Sequence, residues 1–342
     1  MTENEAIKVL TDGQDVTDIE EMLPESEPIR FVLTMAESGD RLDKIVARHL
    51  PDYSRSRIQK WIEQGDVTVN GNVVKPKQTM VGFEEVVVVP RLSDEETSFT
   101  AEPVDFPVIY EDGHLLVVNK PAGLVVHPAA GNWHGTLLNG LLHYLPKNAT
   151  VPRAGIVHRL DKDTTGLMVV AKTIEAQTDL IRQLQARTVH REYFALVWGG
   201  AEPEGTISAP IGRHPKNRIK MAVSTVGFGR HAVTHFRSVA TGELNGNPVT
   251  LIKCRLETGR THQIRVHMQT IGFPLVGDPL YGRAHLGGVF PRQALHAFRL
   301  GLRHPSDDSS VSWMAPLPDD MASLLQQSSI AIDDDWYESD YS

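Results

Sequence analysis

The densest group of reactive side chains in this 342-residue sequence is His158-Arg159-Leu160-Asp161-Lys162-Asp163-Thr164-Thr165-Gly166, which runs straight into the apolar stretch Leu167-Met168-Val169-Val170-Ala171. A polar loop that feeds a buried strand holds its side chains rigidly at the end of a sheet, a common position for catalytic groups. Asp161 is flanked by Arg159 and Lys162. Neighbouring positive charge favours the carboxylate form, which can act as a nucleophile or as a base. The same letters also make an ordinary turn, with Asp161 and Asp163 accepting backbone hydrogen bonds and Gly166 at positive φ; 163–166 is expected to be such a turn.

A second group, Glu257-Thr258-Gly259-Arg260-Thr261-His262-Gln263-Ile264-Arg265-Val266-His267-Met268, ends one predicted strand and opens a helix. Ile264, Met268 and Ile271 fall on one helical face and should be core, while Arg265 suits either a surface position or a carboxylate partner. His262 and His267 lie on different faces and make a poor metal pair. His127 and His158 are expected to be loop hydrogen bonders. Tyr193, in Arg191-Glu192-Tyr193, sits in a predicted strand as a core aromatic or a stacking platform. Cys254 is the lone cysteine, which excludes a disulfide framework and a cysteine zinc site and suits strand filler. No strand, Gly-rich loop and helix in sequence offer a nucleotide-cofactor cradle; Gly227-Phe228-Gly229 is isolated and expected in a hairpin.

These residues need elements to position them. The apolar fraction of 41% suffices for a real core, and the length suits one large domain, one small domain and flexible ends. In the larger part, Val108-Ile109-Tyr110 and Leu115-Leu116-Val117-Val118 predict a hairpin across Asp112-Gly113. It leads into Lys120-Pro121-Ala122-Gly123, a loop stiffened by its Pro and Gly. Thr136 caps a short helix through Leu142, and Thr173 caps another over 174–187. Strands are expected at 192–198, 232–240, 249–257 and 294–302, with a helix near 319–327. Many strands with few intervening helices argue for an α+β domain built on a mixed, largely antiparallel sheet.

The overall charge of −9 hides an uneven distribution. Residues 1–29 hold nine acids and one base, and 305–342 hold nine acids with no Lys or Arg, so the body between them carries +8. A basic body with acidic tails suits phosphate binding. Between 41 and 77 eight Lys/Arg face four acids. Leu42, Ile45, Val46, His49 and Leu50 share a helical face that Pro51 ends. A second helix begins near Ser54 or Ser56 and runs to Gly65. Asn70-Gly71 between β-branched residues then signals a hairpin, followed by a strand at 86–89. Arg55, Arg57 and Lys60 cluster in the first turns of the second helix, where free N–H groups also attract phosphate.

That small unit resembles the S4 RNA-binding domain, through Arg41-Leu42-Asp43-Lys44, Ser54-Arg55-Ser56-Arg57 and Val69-Asn70-Gly71. The resemblance implies RNA contacts by Arg41, Lys44, Arg55, Arg57, Lys60 and Lys75. Taken with Lys120-Pro121, Gly123-Leu124-Val125-Val126-His127-Pro128, the 158–166 motif, Arg191-Glu192-Tyr193 and 258–267, the whole resembles the RluA/RluD-type pseudouridine synthases. Pro152-Arg153-Ala154-Gly155-Ile156-Val157 and the S4-like unit point to the RluD branch. The resemblance implies conversion of uridine to pseudouridine within RNA, in large-subunit (23S) ribosomal RNA or an assembling subunit, with no metal and no cofactor. It puts the catalytic aspartate on Asp161, the base-stacking and proton-transfer tyrosine on Tyr193, the aspartate's basic partner on Arg265, and intrusion into the space left by the flipped base on Arg159. It leaves open whether the carboxylate attacks C1′, adds to the base or draws a 2′ proton.

The residue types suit such a reaction on their own terms. A stacked base must be extruded before it can be reached, and aromatic and guanidinium faces recover part of that cost. A carboxylate paired with arginine suits chemistry at an anomeric carbon. The rival reading is a non-catalytic S4-type ribosome assembly factor. The expected organisation is an acidic disordered tail over 1–29, an S4-like domain over 30–90, a linker over 91–104, a catalytic domain over 105–327 and an acidic tail over 328–342. The loop 283–291 is shorter than in many RluD-like relatives. No apolar run reaches the ~20 residues that span a bilayer, so a cytoplasmic monomer with no membrane partner is expected.

Overall fold

The computed structural model describes residues 28–90, 98–129, 131–224, 229–333 and 335–338. The expectations for 1–27, for 91–97 and for Gly227-Phe228 fall outside the described residues. The chain divides into two compact units, Met1–Glu96 and Thr97–Ser342.

The first unit runs β1 (Ile29–Val32), α1 (Leu42–His49), α2 (Arg55–Gln64), β2 (Val67–Val69), β3 (Asn72–Val73) and β4 (Glu85–Val88). The strands form an antiparallel sheet in the order β1-β4-β2-β3. Ser54 caps α2, its Oγ accepting from the Arg57 N–H. Leu42, Ile45 and Val46 of α1 and Ile58, Trp61 and Ile62 of α2 bury one face of each helix against Val67, Val86 and Val88. β1 was not foreseen. It lies across the expected tail boundary and pairs Ile29 with Val88 and Phe31 with Val86. The strand is too short for its alternation to stand out next to an acidic segment.

The second unit is built on β5 (Val108–Glu111), β6 (Leu115–Lys120), β7 (Thr165–Ala171), β8 (His190–Trp198), β9 (Glu204–Ser208), β10 (Ile211–Arg213), β11 (Met221–Val223), β12 (Val233–Leu244), β13 (Asn247–Leu256), β14 (Leu295–Arg303) and β15 (Ser310–Met314). Its helices are α3 (Leu137–Tyr144), α4 (Ile174–Ala186), α5 (Gln263–Thr270), α6 (Asp319–Gln327) and α7 (Asp335–Glu338). Among the described residues, nine strands join in one sheet ordered β5-β6-β7-β14-β8-β13-β12-β9, with β15 on β14, while β10 and β11 pair separately. β7 and β14 run parallel and the other pairs antiparallel, so the sheet is mixed and largely antiparallel in an α+β fold.

Alternation along the strands sorts the core into two layers. Val118, Met168, Tyr193, Ala195 and Cys254 point to one face and pack with Leu137 and Leu141 of α3 and with Ile264 and Met268 of α5. On the other face, Val117, Leu167 and Val169 meet Ala176 and Leu180 of α4. Phe194, Leu196 and Phe298 on that same face meet Met321 and Leu324 of α6.

Four expectations are corrected. The turn lies at 161–164, where Thr164 N–H bonds the Asp161 carbonyl at 3.1 Å. Thr165 and Gly166 already belong to β7, because a parallel partner extends the strand backwards: Thr165 faces His296 and Gly166 faces Ala297. The expected linker does not extend to 104, since the carbonyls of Ser98 and Thr100 accept from Asn139 Nδ2, at 2.9 Å each, and pin that segment to α3. The expected C-terminal tail is in part packed: Ile330 is buried, and Trp336 and Tyr337 press on the cluster around Phe194. Ile271 is not core but 37% exposed, because α5 ends before it.

Candidate active site

Asp161 stands at the head of the 161–164 turn, between the end of β6 and the start of β7. Two buried cations hold that loop by its backbone. Lys120, at the end of β6, donates from Nζ to the carbonyls of Lys162 (2.8 Å), Pro121 (2.8 Å) and Leu124 (2.9 Å). Burial pulls its ammonium down to about 7, against the attraction of Asp163 and Asp161. Arg292 donates from Nη1 to the Asp163 carbonyl at 3.1 Å and grips Asp320 with Nε and Nη2. Gly166 makes room for the arrangement: at φ +117 it crosses β14 so closely that a Cβ would lie 2.2 Å from the Ala297 carbonyl oxygen.

The carboxylate itself meets Arg265. Arg265 Nη1 donates to Asp161 Oδ2 at 2.9 Å, while its Nε and Nη2 donate to Asp278 Oδ2 and Oδ1 at 2.7 and 2.9 Å. The guanidinium is 4% exposed on the Asp161 side of α5, so it is no surface arginine. Burial opposes its charge, but the bonds to Asp278 and then Asp161 outweigh it and raise its proton affinity. Burial likewise opposes ionisation of Asp278, yet Arg265 and the N–H groups of Tyr281 and Leu280 keep it below the ordinary carboxylate range. The ring of Tyr281 lies 5.1 Å from the guanidinium carbon. His262 Nε2 is 4.0 Å from Asp161 Oδ1, and its Nδ1 is 2.9 Å from the Tyr281 hydroxyl. Burial lowers the His262 imidazole.

Asp161, Arg265, Tyr193 and Arg159 line one cleft, together with Arg191 and Leu256. Tyr193 is 5% exposed, and burial raises its phenol. Arg159 is solvent-exposed at the rim. His158 and His267 are tied into the fold. His158 Nε2 accepts from Val169 N–H at 3.0 Å, and burial, with Arg191 adding repulsion, drops it to about 3. His127 departs from expectation, because its Nε2 is buried without a partner among the described residues; burial and then Arg159 pull it to about 4. His267 is bound to Thr234 and the Ala209 carbonyl. Burial pushes the Cys254 thiol up, as strand filler requires.

The first unit gathers Arg41 and Arg55 around Asp43, which is fully buried. Its carboxylate accepts from Arg41 Nε and Nη2 (3.0 and 2.9 Å), Arg55 Nη2 (3.0 Å) and Gln59 Nε2 (2.6 Å). Despite burial, these donors lower it to about 2. Arg57 lies over the rings of Tyr53 and Trp61 at 5.7 and 5.8 Å. Lys44, Lys60 and Lys75 are exposed.

Sequence reasoning missed Asp278, Lys120 as a loop clamp, and Arg292. Asp278 carried one signal, a lone acid between Gly277 and Pro279 in an otherwise apolar stretch, where a turn explains it equally well.

A carboxylate fixed by a buried arginine, opening on a cleft with an aromatic ring and further guanidinium groups, is chemically suited to a polar, anionic substrate. Comparison with known proteins narrows the class. Residues 114–270 match the RNA pseudouridylate synthase family and 40–87 match the S4 domain. "Ribosomal large subunit pseudouridine synthase D" of Nitrosomonas europaea is 54% identical over 296 residues, 84% of each chain. Its namesake from Neisseria meningitidis serogroup B is 46% identical over 361 aligned positions, covering 97% of this chain and 95% of its own. Among solved structures, "Human RNA Pseudouridylate Synthase Domain Containing 1" superposes with a TM-score of 0.52 at 28% identity, over 67% of this chain and 86% of its own. This chain belongs to the RNA pseudouridylate synthase family. The catalytic reading is thereby favoured over the non-catalytic assembly factor.

Proposed function

We propose that this enzyme isomerises particular uridines to pseudouridine in large-subunit ribosomal RNA, with Asp161 as the catalytic carboxylate. The observation that carries the site assignment is the bond from Arg265 to Asp161, fixed from behind by Asp278, at the mouth of a cleft that also holds Tyr193. Catalysis at an anomeric carbon depends on a carboxylate held in a narrow range of positions, and immobilising such a group is worth several orders of magnitude in rate. In this reading Tyr193 lies against the extruded uracil, Arg265 holds the carboxylate charged and oriented, and Arg159 at the rim fills the gap left in the RNA stack.

The exposed Lys44, Lys60 and Lys75, with Arg41, Arg55 and Arg57, form the RNA-binding face of the S4 domain. The chain acts as a cytoplasmic monomer and uses no cofactor. Among the described residues no helix is long and apolar enough to cross a membrane. The ribosomal substrate rests on the names of the two bacterial relatives. Mapping pseudouridine in ribosomal RNA from cells lacking the protein tests it: loss of defined large-subunit positions, restored by the wild-type chain, is expected. A complete large-subunit pattern in those cells would contradict it.

A further inference from the structure

Arg191 has no place in the scheme above, although it lines the same cleft as Asp161 and Tyr193. It is 7% exposed, and its Nε is buried with no hydrogen-bond partner among the described residues. The other buried arginines of the site are compensated: Arg265 lies between Asp161 and Asp278, and Arg292 is held by Asp320. Among the described residues no acid forms a hydrogen bond or ion pair with Arg191, although Asp161 lines the same cleft. His158 is kept neutral by its burial, and Tyr193 by its raised phenol. Asp161 already accepts from Arg265. A cation taken out of water without a counter-ion costs several kcal/mol. A bound anion would supply the missing charge and offset that cost.

Two further details fit a built anion site. Arg191 and Tyr193 are two apart on β8, so both project from the same face of the strand, one pleat repeat apart. Gly259, in the turn that leads to α5, leaves the space the guanidinium occupies, since a Cβ there would lie 2.8 Å from Arg191 Nη1. The anion available one nucleotide's breadth from a base stacked on Tyr193 is a phosphodiester of the RNA backbone. Guanidinium groups bind phosphate through paired, charge-assisted hydrogen bonds.

We propose that Arg191 is the binding residue for the backbone phosphate of the extruded uridine, holding the nucleotide in the cleft beside Asp161. This rests on the pseudouridine synthase reading of the cleft. Because the phosphate keeps its charge throughout the reaction, the contact belongs to binding and acts on KM; stabilising a departing, negatively charged uracil would act on kcat instead.

The test uses the full chain and an RNA fragment carrying a mapped target uridine, made with native phosphates or with one neutral methylphosphonate beside that uridine. Wild-type turnover on the native RNA verifies the underlying reading independently. Arg191→Gln is expected to raise KM roughly 10- to 100-fold with little change in kcat. The methylphosphonate should cost the wild-type enzyme a similar factor and cost Arg191→Gln nothing further. Gly259→Ala, which crowds the guanidinium, should reproduce part of the KM effect. Thermal stability of Arg191→Gln should equal or exceed that of wild type, because an uncompensated buried charge has gone. Additive losses from the variant and the neutral linkage would overturn the proposal. So would a fall confined to kcat, or a lower melting temperature with activity lost in proportion.

Discussion

Asp278 binds Arg265 with both carboxylate oxygens and so leaves one guanidinium nitrogen, Nη1, aimed at Asp161. The pair is buried, with the Asp278 side chain at 0% and that of Arg265 at 4% exposure, so neither partner can relax into water. Asp278→Asn removes one charge and one acceptor while keeping the shape. The expected outcome is a fall in kcat of about 100-fold with KM little altered, because the carboxylate loses its fixed orientation. Tritium release from 5-tritiated uridine in RNA reads this. Unaltered kcat would show that Arg265 needs no second anchor.

Gly166 joins the loop of Asp161 to the parallel contact between β7 and β14. Gly166→Ala places a methyl 2.2 Å from the Ala297 carbonyl oxygen and forces an L-residue to φ +117. A destabilisation of more than about 3 kcal/mol in urea unfolding is expected. A loss below about 1 kcal/mol would mean that β14 yields easily.

Burial holds three imidazoles of the catalytic unit uncharged: His158 at about 3, His127 at about 4 and His296 at about 4. Each folded value lies below the ~6.5 of an unfolded histidine, so the unfolded chain takes up the extra proton first. Their effect on stability is therefore absent above pH 6.5 and grows as pH falls towards 4, by up to about 1.4 kcal/mol per pH unit for each histidine. Urea midpoints at pH 7 and pH 5 should drop steeply for wild type and less for His158→Gln. Equal slopes would contradict the neutral state of His158.

In the S4 unit, Arg41 and Arg55 are bound to Asp43, whereas Lys44 and Lys75 are exposed. Lys44→Ala and Lys75→Ala should each weaken RNA binding and reduce the slope of log K against log salt by about 0.7, the value for one phosphate contact to a single strand. Filter binding across a salt series reads this. Unchanged slopes would remove both lysines from the RNA face.

Much of this molecule is legible in its sequence, for definite reasons. Residue periodicity marks α1 and α2, and the Thr173 cap marks α4. The Asn70-Gly71 pair marks a hairpin, and the polar 158–166 segment before an apolar strand marks the loop of Asp161. What escaped depends on partners that no local pattern pairs. Asp278 takes its meaning from a bidentate bond to Arg265, thirteen residues earlier, and from the closed burial of both. Lys120 looks like a loop cation until the fold brings Lys162 to its ammonium. The acids of the C-terminal segment obscured three apolar residues: Ile330 is 2% exposed, and Tyr337 meets the Phe194 ring edge-on at 5.4 Å. β15 alternates exposed and half-buried residues and gains its strand conformation from β14.

The central claim concerns one carboxylate, and Asp161→Asn examines it while preserving size and the bond from Arg265. Tritium release should fall below detection, while RNA affinity and the unfolding midpoint stay at wild-type values. Turnover by Asp161→Asn near the wild-type rate, on the same RNA, would contradict the assignment of Asp161 as the catalytic group.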